Sequence, residues 1–234
     1  MSSNTKTFLF AAILCLACSY LLTFAATYLK PFQEANVRAD KQKNVMKVLN
    51  LLDAGKKYSN SEILDLFKEN VKSFYVTDSG ELLSEEQDGT FPIYLKIKNN
   101  QIQSYAIPIS GYGLWSTLYG FFSLEADGNT VAGITFYAHG ETPGLGAECE
   151  KPWFQNNFLG KKITNKDGDF VSIGIAKSAI PLDTSSEKKQ SMVDGISGAT
   201  ITAKGIEKFL LTDLKKYEPF SKRLRNGERI SIGG

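Results

Sequence analysis

The sequence predicts an α+β domain carried behind one N-terminal apolar helix, and three features carry that prediction. Residues 8–29 form an apolar run without a charge. The middle of the chain alternates strand-like segments with Asp-Ser-Gly, Asp-Gly and Asn-Asn turns. Near the C-terminus, Ile206, Phe209, Leu210, Leu214 and Tyr217 recur at helical spacing.

Taken in order, the run 8–29 lies between Lys6 and Lys30-Pro31. Roughly 20 apolar residues cross a bilayer core as a helix, and the run exceeds the roughly 7–15 apolar residues of a cleaved signal peptide. A retained membrane anchor over residues 1–30 is therefore expected. Lys30, Arg38, Lys41 and Lys43 follow the run and only Lys6 precedes it, so charge counting alone puts the large domain in the cytoplasm.

Residues 32–52 read as a helix running on from the membrane, with Val45, Val48, Leu49 and Leu52 on one face and Gly55 as its stop. That makes residues 31–55 a juxtamembrane spacer and leaves residues 56–234 as the soluble domain. A second helix, capped near Asn60 or Ser61, turns Ile63, Leu64 and Phe67 inward. Strands are expected at 71–77, 92–97 and 102–107, then a hairpin of 121–126 and 130–137 around Asp127-Gly128-Asn129. Between them, Gly111, Gly113 and Gly120 alternate with Tyr112, Trp115 and Tyr119. Such a stretch suits close approach to a flat ligand, or simply packing at a strand entrance.

The hairpin leads into His139-Gly140-Glu141-Thr142-Pro143-Gly144-Leu145-Gly146, a tight loop whose backbone N–H groups can point at a ligand carbonyl or phosphate. Here His139 reads as a turn residue and Glu141 as a solvated one. A short helix beginning at Pro152 and ending near Gly160, a strand at 170–177 and a polar surface loop at 183–189 follow. Beyond Phe220 the tail is basic and expected to be loosely held.

Composition narrows the function classes. Lys and Arg number 27 against 25 for Asp and Glu, so no strongly basic face is available for nucleic acid. Cys15 and Cys18 lie in the apolar run and Cys149 stands alone, which gives no disulfide framework. With a single histidine, His139, the chain is poorly equipped for a histidine metal site or a Ser-His-Asp hydrolase, and no catalytic residue is assigned.

The most informative stretch is Asp194-Gly195-Ile196-Ser197-Gly198-Ala199-Thr200-Ile201-Thr202. A small-residue turn feeding a helix leaves unpaired N–H groups at the positive end of the helix dipole, where a phosphate fits. An ordinary Ser or Thr N-cap is the alternative reading of the same geometry.

The run from Asp194 to Thr200 fits Asp-x-x-Ser/Thr-Gly-Ala-Thr, which resembles the attachment signal for covalent FMN. Gly113-Leu114-Trp115-Ser116 and Glu141-Thr142-Pro143-Gly144-Leu145-Gly146 accompany it in the same order. Together with the N-terminal span, the whole chain resembles the C subunit of the Na+-translocating NADH:quinone oxidoreductase, with the G subunit of the Rnf complex as a relative sharing two of the three stretches. The resemblance implies that a flavin transferase uses FAD to join FMN by its phosphate to the Thr200 hydroxyl. Ser197, Gly198 and Ala199 would surround the phosphate, and Asp194 would belong to the signal that the transferase reads. Thr142, Gly144 and Leu145 would approach the flavin, and Leu114, Trp115 and Ser116 would border its ring. It further implies an electron-carrier subunit working with the other subunits of the complex, held in a bacterial inner membrane by a single pass. The covalent FMN-binding domain would then face the periplasm, opposite to the charge count. No Gly-x-Gly-x-x-Gly run follows a strand, so NADH is expected to react elsewhere in the complex. A membrane-tethered module binding a phosphate-bearing ligand reversibly, and more remotely an acyl hydrolase using Ser197, are the competing classes.

Overall fold

The computed structural model describes residues 3–53, 55–228 and 230. They fall into two compact units divided between Lys41 and Gln42. Helix α1 covers Ser3–Val48. Its apolar part has a mean hydropathy of 2.3 over 18 residues and is wholly exposed, with Phe8, Leu16, Leu22 and Phe24 among its bare side chains. By length and composition it can cross a membrane once. The helix ends at Val48, short of the expected Leu52, and Asn50 takes the left-handed conformation that turns the chain away.

The unit from Gln42 onward is built on a six-stranded antiparallel sheet in the order β2-β1-β3-β4-β5-β6. The strands are β1 (Val71–Val76), β2 (Leu82–Leu83), β3 (Phe91–Lys98), β4 (Gln101–Tyr112), β5 (Thr117–Glu125) and β6 (Val131–Ala138). Helix α2 (Asn60–Asn70) precedes them and starts with a capping box between Ser59 and Glu62, one residue before the expected cap. The last helix, α5 (Thr200–Arg225), follows two short ones, α3 (Pro152–Gln155) and α4 (Ser186–Lys189).

Both faces of the sheet are covered. On one, Tyr105, Ile107, Phe122 and Ile134 meet Ile206, Phe209, Leu210, Leu214 and Phe220 of α5. On the other, Ala106 and Phe121 meet Val45, Met46 and Val48 from the end of α1, Leu49 just after it, and Ile63 and Phe67 from α2. Neighbours along β4 and β5 thus point to opposite cores, as the two-residue period of a strand requires. The C-terminal stretch is not loose as far as it is described. Helix α5 continues to Arg225, Phe220 is fully buried, and Tyr105 and Ser221 share a buried hydroxyl hydrogen bond of 2.7 Å. Segment 170–177 keeps only β7 (Gly174–Ile175), paired in parallel with β8 (Met192–Val193). Ser172 interrupts it at φ 61°, and the Val171 and Ser172 amides both bond the Ile163 carbonyl.

Helix α5 approaches the end of β4 through two glycines. A Cβ on Gly111 would overlap the Phe209 side chain, and one on Gly205 would overlap the Tyr112 carbonyl oxygen. In an ordinary helix interior, Gly→Ala stabilises by about 1 kcal/mol. Here the sign should reverse: Gly205→Ala is expected to cost about 1–3 kcal/mol through overpacking, read as a lowered midpoint in chemical denaturation of the detergent-solubilised protein. A raised midpoint would contradict the close approach.

Candidate flavin-binding site

The close approach of α5 brings its first turn to two loops at the same end of the sheet. One is the β4–β5 connection, where Gly113 N–H bonds the Ser116 carbonyl at 2.9 Å and leaves the next three amides pointing one way. The other follows β6 and starts at His139. Glu141 joins all three pieces. Its carboxylate accepts hydrogen bonds from the Leu114 (3.2 Å), Trp115 (2.9 Å) and Ser116 (3.1 Å) amides and from the Thr202 hydroxyl at 2.6 Å.

Glu141 is only 5% exposed, contrary to its reading as a solvated loop residue. Two glycines keep room for it. A Cβ on Gly113 would lie 2.8 Å from Glu141 Oε1, and one on Gly146 would lie 2.6 Å from Oε2 and 2.7 Å from Thr202 Oγ1. No periodicity reveals such a residue. The available signal was a carboxylate set in a glycine-rich loop, with a hydroxyl residue two positions beyond Thr200.

Three of the loop amides, and that of Ala147 just beyond, bond within the protein and do not face outward. Gly140 N–H bonds Ser116 Oγ at 2.6 Å, Glu141 N–H bonds His139 Nδ1 at 3.3 Å, and the Leu145 and Ala147 amides share the Thr142 carbonyl at 3.1 Å. The two loops and the start of α5 also present apolar surface. Leu114, Trp115, Leu145 and Ile201 are all exposed, Trp115 by 65%. Thr142 and Gly144 are exposed too, and a Cβ on Gly144 would meet open space.

The start of α5 supplies the polar part. Thr200 is its first residue and is half-buried. Ala199 occupies the N-cap position and, among the described residues, no side chain caps the helix, which removes the ordinary Ser or Thr cap from consideration. The first-turn amides of this 26-residue helix therefore sit at its positive end without a side-chain acceptor. Ser197 and Gly198 are exposed before it, with Gly198 at φ 77°. A Cβ on Gly198 would come within 3.0 Å of Leu145 Cδ2, so this turn lies against the Leu145 loop. Asp194 stands apart, its Oδ1 accepting the Ile180 amide at 2.7 Å. The neighbouring Gly195 has no space for a Cβ against the Ala176 carbonyl. Asp194 thus shapes the approach to the turn.

These features fit FMN: an uncapped helix start for a phosphate, a hydroxyl on its first residue, and an apolar platform for a flat ring. A cavity of about 550 Å3 lies further along α5, lined by Lys204, Glu207, Ile175 and Met192, and does not include the platform residues. Cys149 is fully buried, and burial, reinforced by Glu150 and Glu141, pushes its thiol up to about 12.

Comparison with known proteins places the chain. The FMN-binding domain family model matches residues 113–212, a range that contains all three stretches. This unit is therefore an FMN-binding domain. The C subunit of the Na(+)-translocating NADH-quinone reductase of Pseudomonas aeruginosa is 34% identical, over 97% of this chain and 98% of that one. Its counterpart in Vibrio alginolyticus is 35% identical, over 92% and 93%. The crystal structure of the corresponding protein from Parabacteroides distasonis superposes with a TM-score of 0.70 at 34% identity, over 82% of this chain and 96% of that one. The Shewanella oneidensis protein, at 23% identity and a TM-score of 0.68, shares the fold. The chain belongs to the family formed by the C subunits of the Na(+)-translocating NADH-quinone reductase.

Burial presses the Glu141 pKa upward, while the bonds from the Thr202 hydroxyl and the Trp115, Ser116 and Leu114 amides press it down. The net displacement is below the ordinary carboxyl value. A depressed folded pKa means that this contribution to stability is complete above the unfolded carboxyl pKa, about 4.3, and is lost as pH falls through the folded value. Thermal midpoints measured from pH 7 downward should fall more steeply on the acid side in the wild type than in Glu141→Gln, which starts lower. Parallel profiles would contradict the ionised hub.

Proposed function

We propose that this chain is the electron-relay subunit of a membrane-bound Na+-translocating NADH:quinone oxidoreductase, with FMN joined through its phosphate to Thr200. The observation that carries this reading is the Thr200 hydroxyl on the first residue of a long helix with no side-chain cap. In maturation, Thr200 Oγ1 accepts the FMN phosphoryl group from FAD on a flavin transferase. The hydroxyl proton is released, the pyrophosphate link breaks and AMP leaves. Ser197, Gly198 and Ala199 shape the turn around the phosphate, and the first-turn amides of α5 face its charge.

Thr142, Gly144, Leu145, Leu114 and Trp115 form the platform for the ring, and Ser116 holds the Gly140 amide that joins the two loops. The bound flavin supplies electron transfer, and the protein supplies position and electrostatics. Because the platform is exposed, reversible binding would depend on free flavin concentration; the phosphoester removes that dependence. Residues 1–30 act as the anchor, 31–55 as the juxtamembrane segment, helical as far as Val48, and 56–234 as the flavin-carrying domain, with Val45, Met46, Val48 and Leu49 contributing to its core.

The domain faces the periplasm of a bacterial inner membrane, as the family resemblance implies, and the opposing charge count is weak because long domains translocate largely regardless of flanking charge. NADH is oxidised and quinone reduced in other subunits, and Na+ export belongs to the assembled complex. The apolar run 8–29 has no Asp, Glu, Lys, Arg or His side chain to carry Na+.

Co-expressed with a flavin transferase, the wild-type protein should keep flavin fluorescence on its band after denaturing electrophoresis. Thr200→Val should lose it completely while remaining folded by circular dichroism. Flavin retained on that variant would place the linkage elsewhere.

A further inference from the structure

The chemistry of Glu141 exceeds what a structural tie needs. Among the described residues, no lysine, arginine or histidine forms an ion pair with it, although Lys151 and His139 engage Glu150 close by. Its charge is met only by neutral donors, three amides and one hydroxyl. Burying a carboxylate without a cation is costly, and hydrogen bonds offset only part of that cost. A neutral amide side chain could accept from Thr202 with no buried charge. Dipoles from the four donors moderate the field of the carboxylate but leave its net charge in place, in surroundings where water screens it weakly.

We infer that Glu141 is a positioning residue that sets the flavin potential: its carboxylate, fixed behind the Leu114–Ser116 turn, disfavours the negative charge that reduction places on the flavin and so holds the midpoint potential down. This rests on the function proposed above, in which that turn borders the ring. The electron added on reduction comes from the external reductant in the test below and, in the complex, from its neighbouring redox centre. Glu141 itself exchanges neither electron nor proton. Thr202 tunes the effect, because its hydroxyl at 2.6 Å is the one side-chain donor to the carboxylate among the described residues.

The two residues therefore predict shifts of opposite sign. Glu141→Gln removes the charge and should raise the midpoint. Thr202→Val keeps the charge but removes a donor, exposes the flavin to more of the field and should lower it. Thr202→Ser retains the hydroxyl and should restore the wild-type value. A distorted platform would have no reason to move the potential in opposite directions for the first two and back again for the third.

The experiment is a spectroelectrochemical titration of the full-length, flavinylated protein in detergent at pH 8, with soluble mediators carrying electrons from the working electrode as the external reductant. At a fixed applied potential, Glu141→Gln should raise the reduced-to-oxidised ratio about tenfold, equivalent to 59 mV for a one-electron step. Thr202→Val should lower the ratio about two- to threefold. An unchanged midpoint in Glu141→Gln, or shifts of the same sign in Glu141→Gln and Thr202→Val, would overturn the inference. If Glu141→Gln does not retain flavin, Thr202→Val and Thr202→Ser decide: a lowered value restored by serine supports the inference, and equal values overturn it. Wild-type protein carrying no flavin at Thr200 would instead overturn the proposed function, and this inference with it.

Discussion

One buried carboxylate organises this domain's working end. Glu141 draws three consecutive amides of the β4–β5 connection and a hydroxyl of α5 onto two oxygens. Three chain segments far apart in sequence thereby become one surface. A successive-amide nest of this kind would ordinarily be an anion site for a ligand. The protein fills it with its own side chain, so the Leu114–Ser116 turn is held firm and presents apolar groups outward. In the proposed function the phosphate goes to the helix start, where Ala199 provides no cap. On that proposal, ring and phosphate occupy different physical environments.

That division depends on how the helix is seated. The sheet is covered on both faces, and the α5 side is packed through Phe209, Leu210, Leu214 and Phe220. Bare backbone at Gly111 and Gly205 lets the helix start come close to the end of β4. A helix held further out would leave Thr202 short of Glu141 and separate Thr200 from the loop carrying Leu145. The fold places the site through close packing, and the carboxylate then locks it.

The sheet was legible in the sequence because its strands follow turn residues at regular intervals, and α5 was legible from its apolar face. Strand ends were less so. Strands β4 and β5 are buried on both faces, so a continuous apolar run such as Tyr105-Ala106-Ile107 does not alternate. The 170–177 segment carries a strand-like composition, yet Ser172 at positive φ breaks it. Residues beyond Phe220 looked like a basic tail because Arg223 and Arg225 dominate the composition. Both instead donate to carbonyl oxygens of turns, Arg223 to Gly80 and Arg225 to Gly128, each at 2.8 Å. For the site, the Thr200 motif and its flanking stretches were readable as short patterns. The contacts that Glu141 and Thr202 make within those stretches were not, because their partners lie 25 to 61 residues away. Asp194 was visible as part of the motif, but its bond to Ile180 required coordinates.

The measurement that tests the central claim most directly is peptide mass mapping of the wild-type protein after co-expression with a flavin transferase. The account predicts one FMN, joined with loss of water, on the peptide containing Thr200, with fragment ions assigning it to that hydroxyl. Unmodified Thr200 in the presence of an active transferase, or the adduct on Ser197 or Thr202, would contradict it.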